Sequence, residues 1–334
     1  MEPTETETPL RIGILGAARI APPALVRPAR EVDAVVAHGI AARVPARAGE
    51  FQIKHGIVKA YPSYDSLLND KEIDAIYNPL PNGLHAAWSI RALEAGKHVL
   101  CEKPLAANAA EVERMRDTAE RCGLQLMEAF HYRYHPLADR MRAIVESGEL
   151  GTIRHVEASL CFPLPFFRDI RYDFGLAGGS LMDAGCYAVH LVRFLANAEP
   201  EVVSARATLR DPDVDRAMEA ELRFPDGRTG RIRSSLFSRR LLSVFARVVG
   251  EEGEMRVDNP VLPHLLHRLR VRTRSGRRRE TVSGEATYTG QLRAFARLIK
   301  DGTPVPTGPE DSLANMRVID AIYDKASMRR RGSA

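Results

Sequence analysis

Residues 10–21 read LRIGILGAARIA, a short apolar run that ends in a turn of glycine and alanine. A strand over 11–15 that leads through such a turn into a helix-like segment is typical of the first β-α-β unit of a parallel sheet. Further apolar runs at 34–41 and 75–80 follow at distances that leave room for crossover helices. The pattern predicts that the chain begins with an α/β domain built on a parallel sheet.

The turn after the first strand has the first glycine of a dinucleotide-binding GxGxxG motif but alanine at the other two glycine positions. Gly16 permits a tight turn, and Ala18 is small enough for the backbone to approach a pyrophosphate. A following helix would direct its first N–H groups at the same anion. The turn therefore predicts cofactor contacts at Gly16, Ala17, Ala18, Arg19 and Ile20, although a compact turn of any α/β domain has similar residues.

The end of the second strand indicates which dinucleotide is bound. An acidic residue there favours a ribose hydroxyl, whereas an arginine accommodates a 2′-phosphate. This strand ends in Ala41, Ala42 and Arg43, with no acid at the tip. We therefore expect NADP(H) to be favoured over NAD(H), with Ala42 and Arg43 in the cofactor site; a solvated Arg43 is the alternative.

Strand and helix patterns alternate as far as residue 129, after which short alternating strands dominate. Such a change implies a second domain on an antiparallel or mixed sheet. We expect a disordered tail at 1–9, a first domain at 10–129 and a second at 130–334. The amphipathic segment 312–328, with Asp311 as its candidate cap, predicts a closing helix.

The composition excludes several classes of protein. A chain of 334 residues that is 45% hydrophobic can bury the cores of two domains. Its four cysteines are widely spaced, with no CxxC pair or histidine cluster, so we expect no metal site. Neither a secretory signal nor an apolar run of membrane-spanning length is present, which favours a cytoplasmic protein without a membrane partner.

Basic residues are concentrated at 268–279 and 329–331, although the net charge is only +5. The arginines at 268, 270, 272 and 274 have a period of two, which places them on one side of a strand. No aromatic residues that could stack on bases lie between them. We interpret this segment as a charged sheet edge and expect no nucleic-acid partner.

Residues 99–105, VLCEKPL, place a lysine at the carboxyl end of a predicted parallel strand. Ligands of open α/β sheets bind at these strand ends. Pro104 restricts the backbone of Lys103 to extended geometry. Lys103 is therefore a candidate site residue, although lysines at strand ends are commonly surface charges.

Four motifs taken together identify a protein family more specifically than any one of them does alone. They are the turn at Gly16, the NPLPN loop at 78–82 with His85, the Glu102-Lys103-Pro104 tripeptide, and GGSLMDAGCY at 178–187. In this order they resemble the Gfo/Idh/MocA oxidoreductase family over nearly the whole chain. The resemblance implies an N-terminal Rossmann domain and a C-terminal α/β domain with a large open, mostly antiparallel sheet.

The resemblance also implies ligand contacts and a mode of association. By it, the residues that approach the cofactor besides those of the first two strands are Asn78, Pro79, Asn82, His85, Glu102 and Lys103. A surface histidine at a helix end is the alternative for His85. Family members associate through the open sheet, so we expect a homodimer or higher homo-oligomer.

Tyr187 indicates a branch of the family, since inositol dehydrogenase-like members have histidine at this place. The tyrosine resembles the branch of glucose-fructose oxidoreductase, dimeric dihydrodiol dehydrogenase and NADP-dependent xylose dehydrogenase. Residues 168–172, RDIRY, also resemble that branch, although Phe167 stands where tryptophan is frequent.

The residue spacing is consistent with redox chemistry. Asp183, Tyr187 and His190 stand at i, i+4 and i+7, so they share one face of a helix that begins at Ser180. Hydride transfer to a carbonyl leaves an alkoxide that needs a proton, and a phenol with its pKa lowered by an ammonium can supply it. We expect Tyr187 to be the acid/base and Lys103 to lower its pKa; the reverse assignment stays open. Asp183 would orient Lys103 or a substrate hydroxyl.

These residues predict an enzyme that interconverts a hydroxyl and a carbonyl on a sugar, polyol or dihydrodiol. A non-catalytic nucleotide-bound sensor or scaffold is the alternative, but it would not need the Lys-Tyr-Asp set. Residues expected near the small-molecule substrate, several of them at the domain junction where pockets commonly form, are His131, Arg133, Arg171 and His190.

Overall fold

A computed structural model describes residues 8–237 and 242–332, and the first part of the chain forms a six-stranded sheet. Its strands are β1 (Leu10–Leu15), β2 (Val35–Ala41), β3 (Lys59–Tyr61), β4 (Ala75–Asn78), β5 (His98–Cys101) and β6 (Leu126–Glu128). Every adjacent pair is parallel, in the order β3-β2-β1-β4-β5-β6. The strand order reverses between β1 and β4, where ligands bind in doubly wound sheets. The predicted Rossmann sheet is confirmed.

Four α-helices cover this sheet, namely α1 (Pro45–His55), α2 (Tyr64–Leu68), α3 (His85–Glu94) and α4 (Ala109–Cys122). The Asn108 side chain caps α4 by accepting from the Glu111 N–H at 3.0 Å. Gly123 then ends this helix in a left-handed conformation, with φ of 66°.

The first crossover differs from our expectation. A π-helical turn at Pro22–Val26 and a 3-10 turn at Pro28–Arg30 replace the regular helix that was expected after the glycine turn. Three prolines in this stretch, Pro22, Pro23 and Pro28, lack the N–H groups that a regular helix would use. The anion-binding groups available here are therefore those of the turn itself.

The second sheet has eight strands: β7 (Ile153–Cys161), β8 (Glu201–Asp211), β9 (Val214–Arg223), β10 (Thr229–Ser235), β11 (Ser243–Gly250), β12 (Gly253–Asp258), β13 (Arg268–Thr273) and β14 (Gly276–Glu280). Their order is β14-β13-β12-β11-β7-β10-β9-β8, and only β7 and β10 pair in parallel. The large, mostly antiparallel sheet is confirmed.

Helices pack on one face of the second sheet. α5 (Pro136–Glu146) leads into the sheet, and α6 (Cys186–Ala196) lies on β7, β10 and β11 after a π-helical turn at Leu181–Gly185. The opposite face carries charged residues in cross-strand pairs. Arg247, for example, contacts Glu157 at 3.2 Å and also pairs with Glu254.

The last two helices connect the two sheets. α7 (Thr287–Asp301) contributes Leu292 and Phe295 to the core that contains Ile12 of the first sheet. α8 (Pro309–Lys325) packs between α4 and β8. Residue 130 lies between β6, the last strand of the first sheet, and β7, the first of the second, but the chain returns to the first core after the second sheet. α8 begins at Pro309, so Asp311 lies within the helix and is not its cap.

Residues 268–274 do not form the outermost strand of the second sheet, which corrects the expected sheet edge for that part, whereas the arginines at 277–279 do lie on the edge strand. In β13, Leu269 and Val271 are buried and alternate with arginines, but β14 is the outermost strand. Several of these arginines pair with acids of the same chain, as Arg278 does with Glu149. Of the tail expected at 1–9, residues 1–7 lie outside the described residues. No helix in residues 8–237 and 242–332 is long and apolar enough to cross a membrane.

Candidate active site

The loop after β5 lies at the carboxyl edge of the first sheet. Glu102 is buried, and its Oε1 accepts from the Tyr77 hydroxyl at 2.8 Å. Burial raises the pKa of this carboxyl even though Lys103 is adjacent. The Lys103-Pro104 peptide bond is cis. Glu102 thus connects β4 to the loop that holds Lys103.

Lys103 meets the segment that begins with the two glycines, as the motif argument predicts. Its Nζ donates to the backbone oxygen of Asp183 at 2.8 Å and lies 3.5 Å from Oδ1 of the same residue. The same nitrogen lies 5.1 Å from the ring centroid of Tyr187. Burial, the largest single effect, lowers the pKa of Lys103, but Asp183, Cys186 and Glu102 together outweigh it, so the net pKa is raised. The lysine is therefore an ammonium at neutral pH.

Asp183 lies between two cations. Arg171 Nε is 3.0 Å from Asp183 Oδ2, and Arg171 Nη1 is 3.1 Å from Asp169 Oδ1. Burial alone would raise the pKa of the Asp183 carboxyl, but Lys103 and Arg171 lower it below its ordinary value. A carboxylate held in this way fixes the position of the Lys103 ammonium.

The geometry requires glycine before Asp183. Gly179 has φ of 137°, and a Cβ on Gly178 would lie 2.6 Å from the Arg171 carbonyl oxygen.

Asp183 lies on the π-helical turn, whereas Tyr187 and His190 lie on α6. The single regular helix that was expected from Ser180 onward is therefore two segments with different pitch.

Tyr187 is almost completely buried in an aromatic cluster. Its ring centroid lies 5.2 Å from that of Phe130 and 5.9 Å from that of His131. Burial, followed by Tyr288 and Glu102, raises the pKa of Tyr187 well above its ordinary value. The expected lowering of this pKa by Lys103 is therefore wrong, because burial dominates and the ammonium faces the ring.

His190 does not lie with the other two residues of the motif. Its Nδ1 is 2.5 Å from the Tyr132 hydroxyl and its Nε2 is 2.7 Å from Asp311 Oδ2, while the ring stacks on Phe130. Burial lowers the pKa of His190, so the ring is neutral, with both nitrogens occupied by protein groups. The expected substrate contact is corrected to a structural one.

His131 and Tyr288 form one wall beside Tyr187. His131 Nδ1 lies 2.9 Å from the Thr287 hydroxyl, and its ring centroid lies 4.1 Å from that of Tyr288. Burial raises the pKa of Tyr288, and the charge of Glu102 raises it further. Sequence reasoning missed Tyr288, since it lies in no motif and reaches the site only because α7 returns to the first domain.

Arg133 does not join the groups around Lys103. Its guanidinium lies 3.7 Å from the ring centroid of Phe194, two turns beyond Tyr187 on α6. Its Nη1 is buried without a hydrogen-bond partner among the described residues. These contacts place Arg133 against α6 of the second domain, and its expected substrate contact stays a prediction.

The glycine turn fits a dinucleotide phosphate. Gly16 has φ of 88°, its N–H donates to the Ala41 carbonyl at 2.7 Å, and a Cβ here would lie 3.1 Å from Leu80. The N–H groups of residues 17–20 make no backbone hydrogen bond within the described part of the chain. Ala17, Ala18 and Ile20 are half-buried, and Arg19 is exposed. These N–H groups could hold a pyrophosphate.

The end of β2 fits the adenosine side of NADP. Ala42 is buried and Arg43 is exposed beside the turn. The Tyr64 hydroxyl would lie 3.7 Å from a Cβ on Gly16, and its pKa is raised by burial and partly lowered by the backbone of Arg43. An exposed guanidinium with no acid at this strand end fits a 2′-phosphate.

Hydrogen bonds connect the loop after β4 to the start of α3 and to the loop after β5. Asn78 is buried and donates to the His85 carbonyl at 3.2 Å, while the nitrogens of His85 lie 2.7 Å from the Leu80 oxygen and 2.8 Å from the Pro104 oxygen. Burial lowers the pKa of His85 to about 4. Both side chains therefore hold this loop in place, and their expected cofactor contacts stay predictions.

The other two residues of that loop lie closer to the second domain. Pro79 is buried, and Asn82 donates to the Ala177 carbonyl at 3.2 Å, just before the two glycines. Residues 8–237 and 242–332 contain no group of three or more His, Cys, Asp or Glu side chains arranged to hold a metal ion.

Two family models match the chain. Residues 10–130 match the oxidoreductase family with an NAD-binding Rossmann fold, and residues 138–256 match the Gfo/Idh/MocA C-terminal domain. The D-xylose 1-dehydrogenase (NADP(+)) 2 of Haloferax volcanii is 40% identical over 321 residues, which are 95% of this chain and 97% of that protein.

Other relatives act on different compounds. The dTDP-3,4-didehydro-2,6-dideoxy-alpha-D-glucose 3-reductase of Streptomyces violaceoruber is 34% identical over 89% of this chain and 87% of its own length. A 3-ketoreductase from Actinomadura kijaniata, solved with NADP and TDP-benzene, superposes with a TM-score of 0.89 at 29% identity over 95% of this chain and 98% of that chain. The chain therefore belongs to the Gfo/Idh/MocA oxidoreductase family.

Proposed function

We propose that this chain is an NADP(H)-dependent oxidoreductase that interconverts a hydroxyl and a carbonyl on a sugar or diol. The contact of Lys103 with Asp183 beside Tyr187 carries the proposal, because it gathers an ammonium, a carboxylate and a phenol at the ligand-binding edge of the sheet. The NADP-dependent name of the Haloferax relative and the NADP bound in the Actinomadura structure support the choice of cofactor.

The protein groups would handle charge and protons, while bound nicotinamide would supply or accept the hydride. Lys103 donates a hydrogen bond to the reacting oxygen and stabilises negative charge that develops there. In this proposal Tyr187, whose raised pKa keeps it protonated at neutral pH, donates a proton to that oxygen. Asp183 holds the ammonium in position, and Arg171 holds Asp183.

Single-residue variants test which of the two groups donates the proton. Lys103 Nζ lies 5.1 Å from the centroid of the Tyr187 ring, so each group has to be removed separately to distinguish their roles. Solved forms of the Actinomadura ketoreductase include variants at single lysine and tyrosine positions. Variants of Lys103 and Tyr187 in this chain can be compared directly with those forms.

D-xylose and related aldoses are the first substrates to test, because the Haloferax relative is named for D-xylose. Purified protein is mixed with NADP+ and an aldose or a trans-dihydrodiol, and the formation of NADPH is followed by absorbance. Keto sugars are tested with NADPH instead, whose absorbance falls as the carbonyl is reduced. We expect turnover that is faster with NADP+ than with NAD+. Cofactor binding without turnover of any compound would instead favour the sensor.

We also propose a cytoplasmic homodimer or higher homo-oligomer. The family resemblance implies association through the open face of the second sheet, on which Arg247, Glu157 and Glu254 lie. Size-exclusion chromatography with light scattering measures the molar mass of the assembly. We expect Arg247→Glu to have a lower molar mass than the wild type. A monomeric wild type would contradict the proposal.

A further inference from the structure

Arg331, in the segment that follows α8, is buried in an unusual way. Three consecutive arginines follow α8, and such a run is normally solvated. The Arg331 side chain is nevertheless completely buried, as is its partner Asp215 at the beginning of β9. A buried arginine must be paired and hydrogen-bonded to be tolerated, so its contacts indicate what it holds.

Arg331 contacts the glycine segment directly. Its Nε donates to the Gly178 carbonyl at 2.6 Å, and its Nη2 donates to Asp215 Oδ1 at 2.8 Å. The guanidinium lies 5.0 Å from the ring centroid of Phe174 and 4.3 Å from that of Tyr323. The Arg331 guanidinium is thus held by hydrogen bonds at its N–H groups and by contact with two aromatic rings.

Asp215 extends this contact to the helical turn of Asp183. Its Oδ2 accepts from the Ser180 hydroxyl and from the Leu181 N–H, both at 2.7 Å. No side chain of the turn itself caps these N–H groups in the described structure. A carboxylate on another strand, held by Arg331, therefore anchors the first residues of the segment that carries Asp183 and Tyr187.

The same stretch of backbone reaches the loop after Lys103. The Arg331 carbonyl accepts from Asn108 Nδ2 at 2.8 Å, five residues after the lysine. Gly332 has φ of 68°, and a Cβ on it would lie 2.9 Å from the Ala107 Cβ. One residue near the chain end therefore contacts both loops that meet at the Lys103–Asp183 pair.

We propose that Arg331 is a positioning residue of the active site, which holds the Asp183 segment in register with the loop after Lys103. The inference rests on the proposed function. Its physical basis is that displacing a reacting group by about 1 Å can lower the rate by about 10²-fold. Arg331 touches neither Lys103 nor the Asp183 side chain. Its side chain acts through Gly178 and Asp215, and its backbone oxygen acts through Asn108.

The test compares Arg331→Ala with Arg330→Ala in the full-length protein. Arg330 is half-exposed and pairs with Asp324 at the surface, so it is the matched control. We expect kcat to fall by about 10²-fold in Arg331→Ala and by less than about twofold in the control, with NADP affinity nearly unchanged in both. Added guanidinium ions should restore part of kcat in Arg331→Ala only.

Hydrogen–deuterium exchange gives a readout independent of activity. Exchange should accelerate in residues 103–110 and 178–187 of Arg331→Ala at a temperature where circular dichroism shows it folded. Unchanged exchange there, or a kcat loss no larger than the unfolded fraction, would overturn the inference. A wild type without turnover would instead overturn the proposed function, while the exchange comparison would still decide the positioning.

A conservative variant covers the case in which Arg331→Ala does not fold. Arg331→Lys keeps a positive charge beside Asp215 but lacks the planar fork that reaches Asp215 and Gly178 together. We expect intermediate kcat and intermediate exchange in the same two segments. Wild-type kcat and wild-type exchange in Arg331→Lys would show that charge alone suffices and would overturn the proposed register.

Discussion

The ammonium of Lys103 donates to the backbone oxygen of Asp183 at 2.8 Å, although 80 residues separate them along the chain. Lys103 follows a strand of the first sheet, and Asp183 precedes a helix that packs on the second. The side chains are each only 15% exposed, so the pair is shielded from most solvent screening. The relative position of the two domains is therefore part of the site's electrostatics.

Replacing Lys103 tests the central group. In Lys103→Met, a side chain of similar length remains but neither stabilises charge on the substrate oxygen nor pairs with Asp183. We expect kcat to fall by about 10²–10⁴-fold with NADP affinity retained. Steady-state kinetics and cofactor titration measure the two effects. The exposed Lys71→Met is the control, and a Lys103→Met kcat within about twofold of wild type would remove the lysine from the mechanism.

Tyr187→Phe removes only a hydroxyl from the aromatic cluster. Because burial raises the pKa of Tyr187 while that of Lys103 is also raised and that of Asp183 is lowered, all three keep their neutral-pH states over a wide range. We expect kcat for carbonyl reduction to be flat between about pH 6 and pH 9 in wild type.

The phenylalanine variant should keep that flat profile at about 10²-fold lower kcat, because it lacks the proton donor. A wild-type profile with a steep limb near neutrality that is absent from Tyr187→Phe would contradict the raised pKa of this phenol. It would then favour Tyr187 as a group that ionises during turnover.

Arg43→Ala tests the choice of cofactor. The exposed guanidinium at the end of β2 is expected to pair with the 2′-phosphate, a charge-assisted contact worth about 1.5–3 kcal/mol. NADP affinity should therefore fall by about tenfold or more, with little change for NAD. Isothermal titration measures both, and Arg47→Ala on α1 is the exposed control. An undiminished NADP preference would refute the assignment.

Much of the fold could be predicted because it depends on local patterns. Apolar runs spaced for crossovers identify β1, β2 and β4, and the later alternation identifies a second sheet. The first crossover could not be predicted correctly, since Pro22 and Pro28 lie in a segment whose apolar pattern resembles a helix. The return of α7 to the first core depends on tertiary contacts of Leu292 and Phe295 that no local pattern records.

The sequence predicted the positions of the charged motif residues in the candidate site, because Lys103 and Asp183 carry opposite charges that pair with each other. Polar motif residues with protein partners were harder, because His190, Asn78 and His85 satisfy buried groups that the sequence does not reveal. A buried polar group and a ligand contact are both fixed by hydrogen bonding, so residue type alone does not separate them.

The pH dependence of protein stability tests whether His131, beside Tyr187, is buried in the neutral form. Burial, followed by the charge of Lys103, lowers the pKa of His131 from 6.5 to about 3. The unfolded chain binds this proton as the pH falls below 6.5, whereas the folded protein does not bind it until near pH 3. The stability that the neutral ring contributes is thus complete above pH 6.5 and is lost as the pH falls toward 3, by about 1.4 kcal/mol per pH unit.

The measurement is urea unfolding of wild type and His131→Asn at several pH values between about 7 and 5. Other buried histidines, such as His190, remain in both proteins, so the difference in slope isolates His131. We expect the wild-type free energy of unfolding to fall more steeply than that of the variant, by about 1.4 kcal/mol per pH unit. Parallel slopes would mean that His131 is protonated equally in the folded and unfolded protein, which would require solvent or a ligand to reach the ring beside Tyr187.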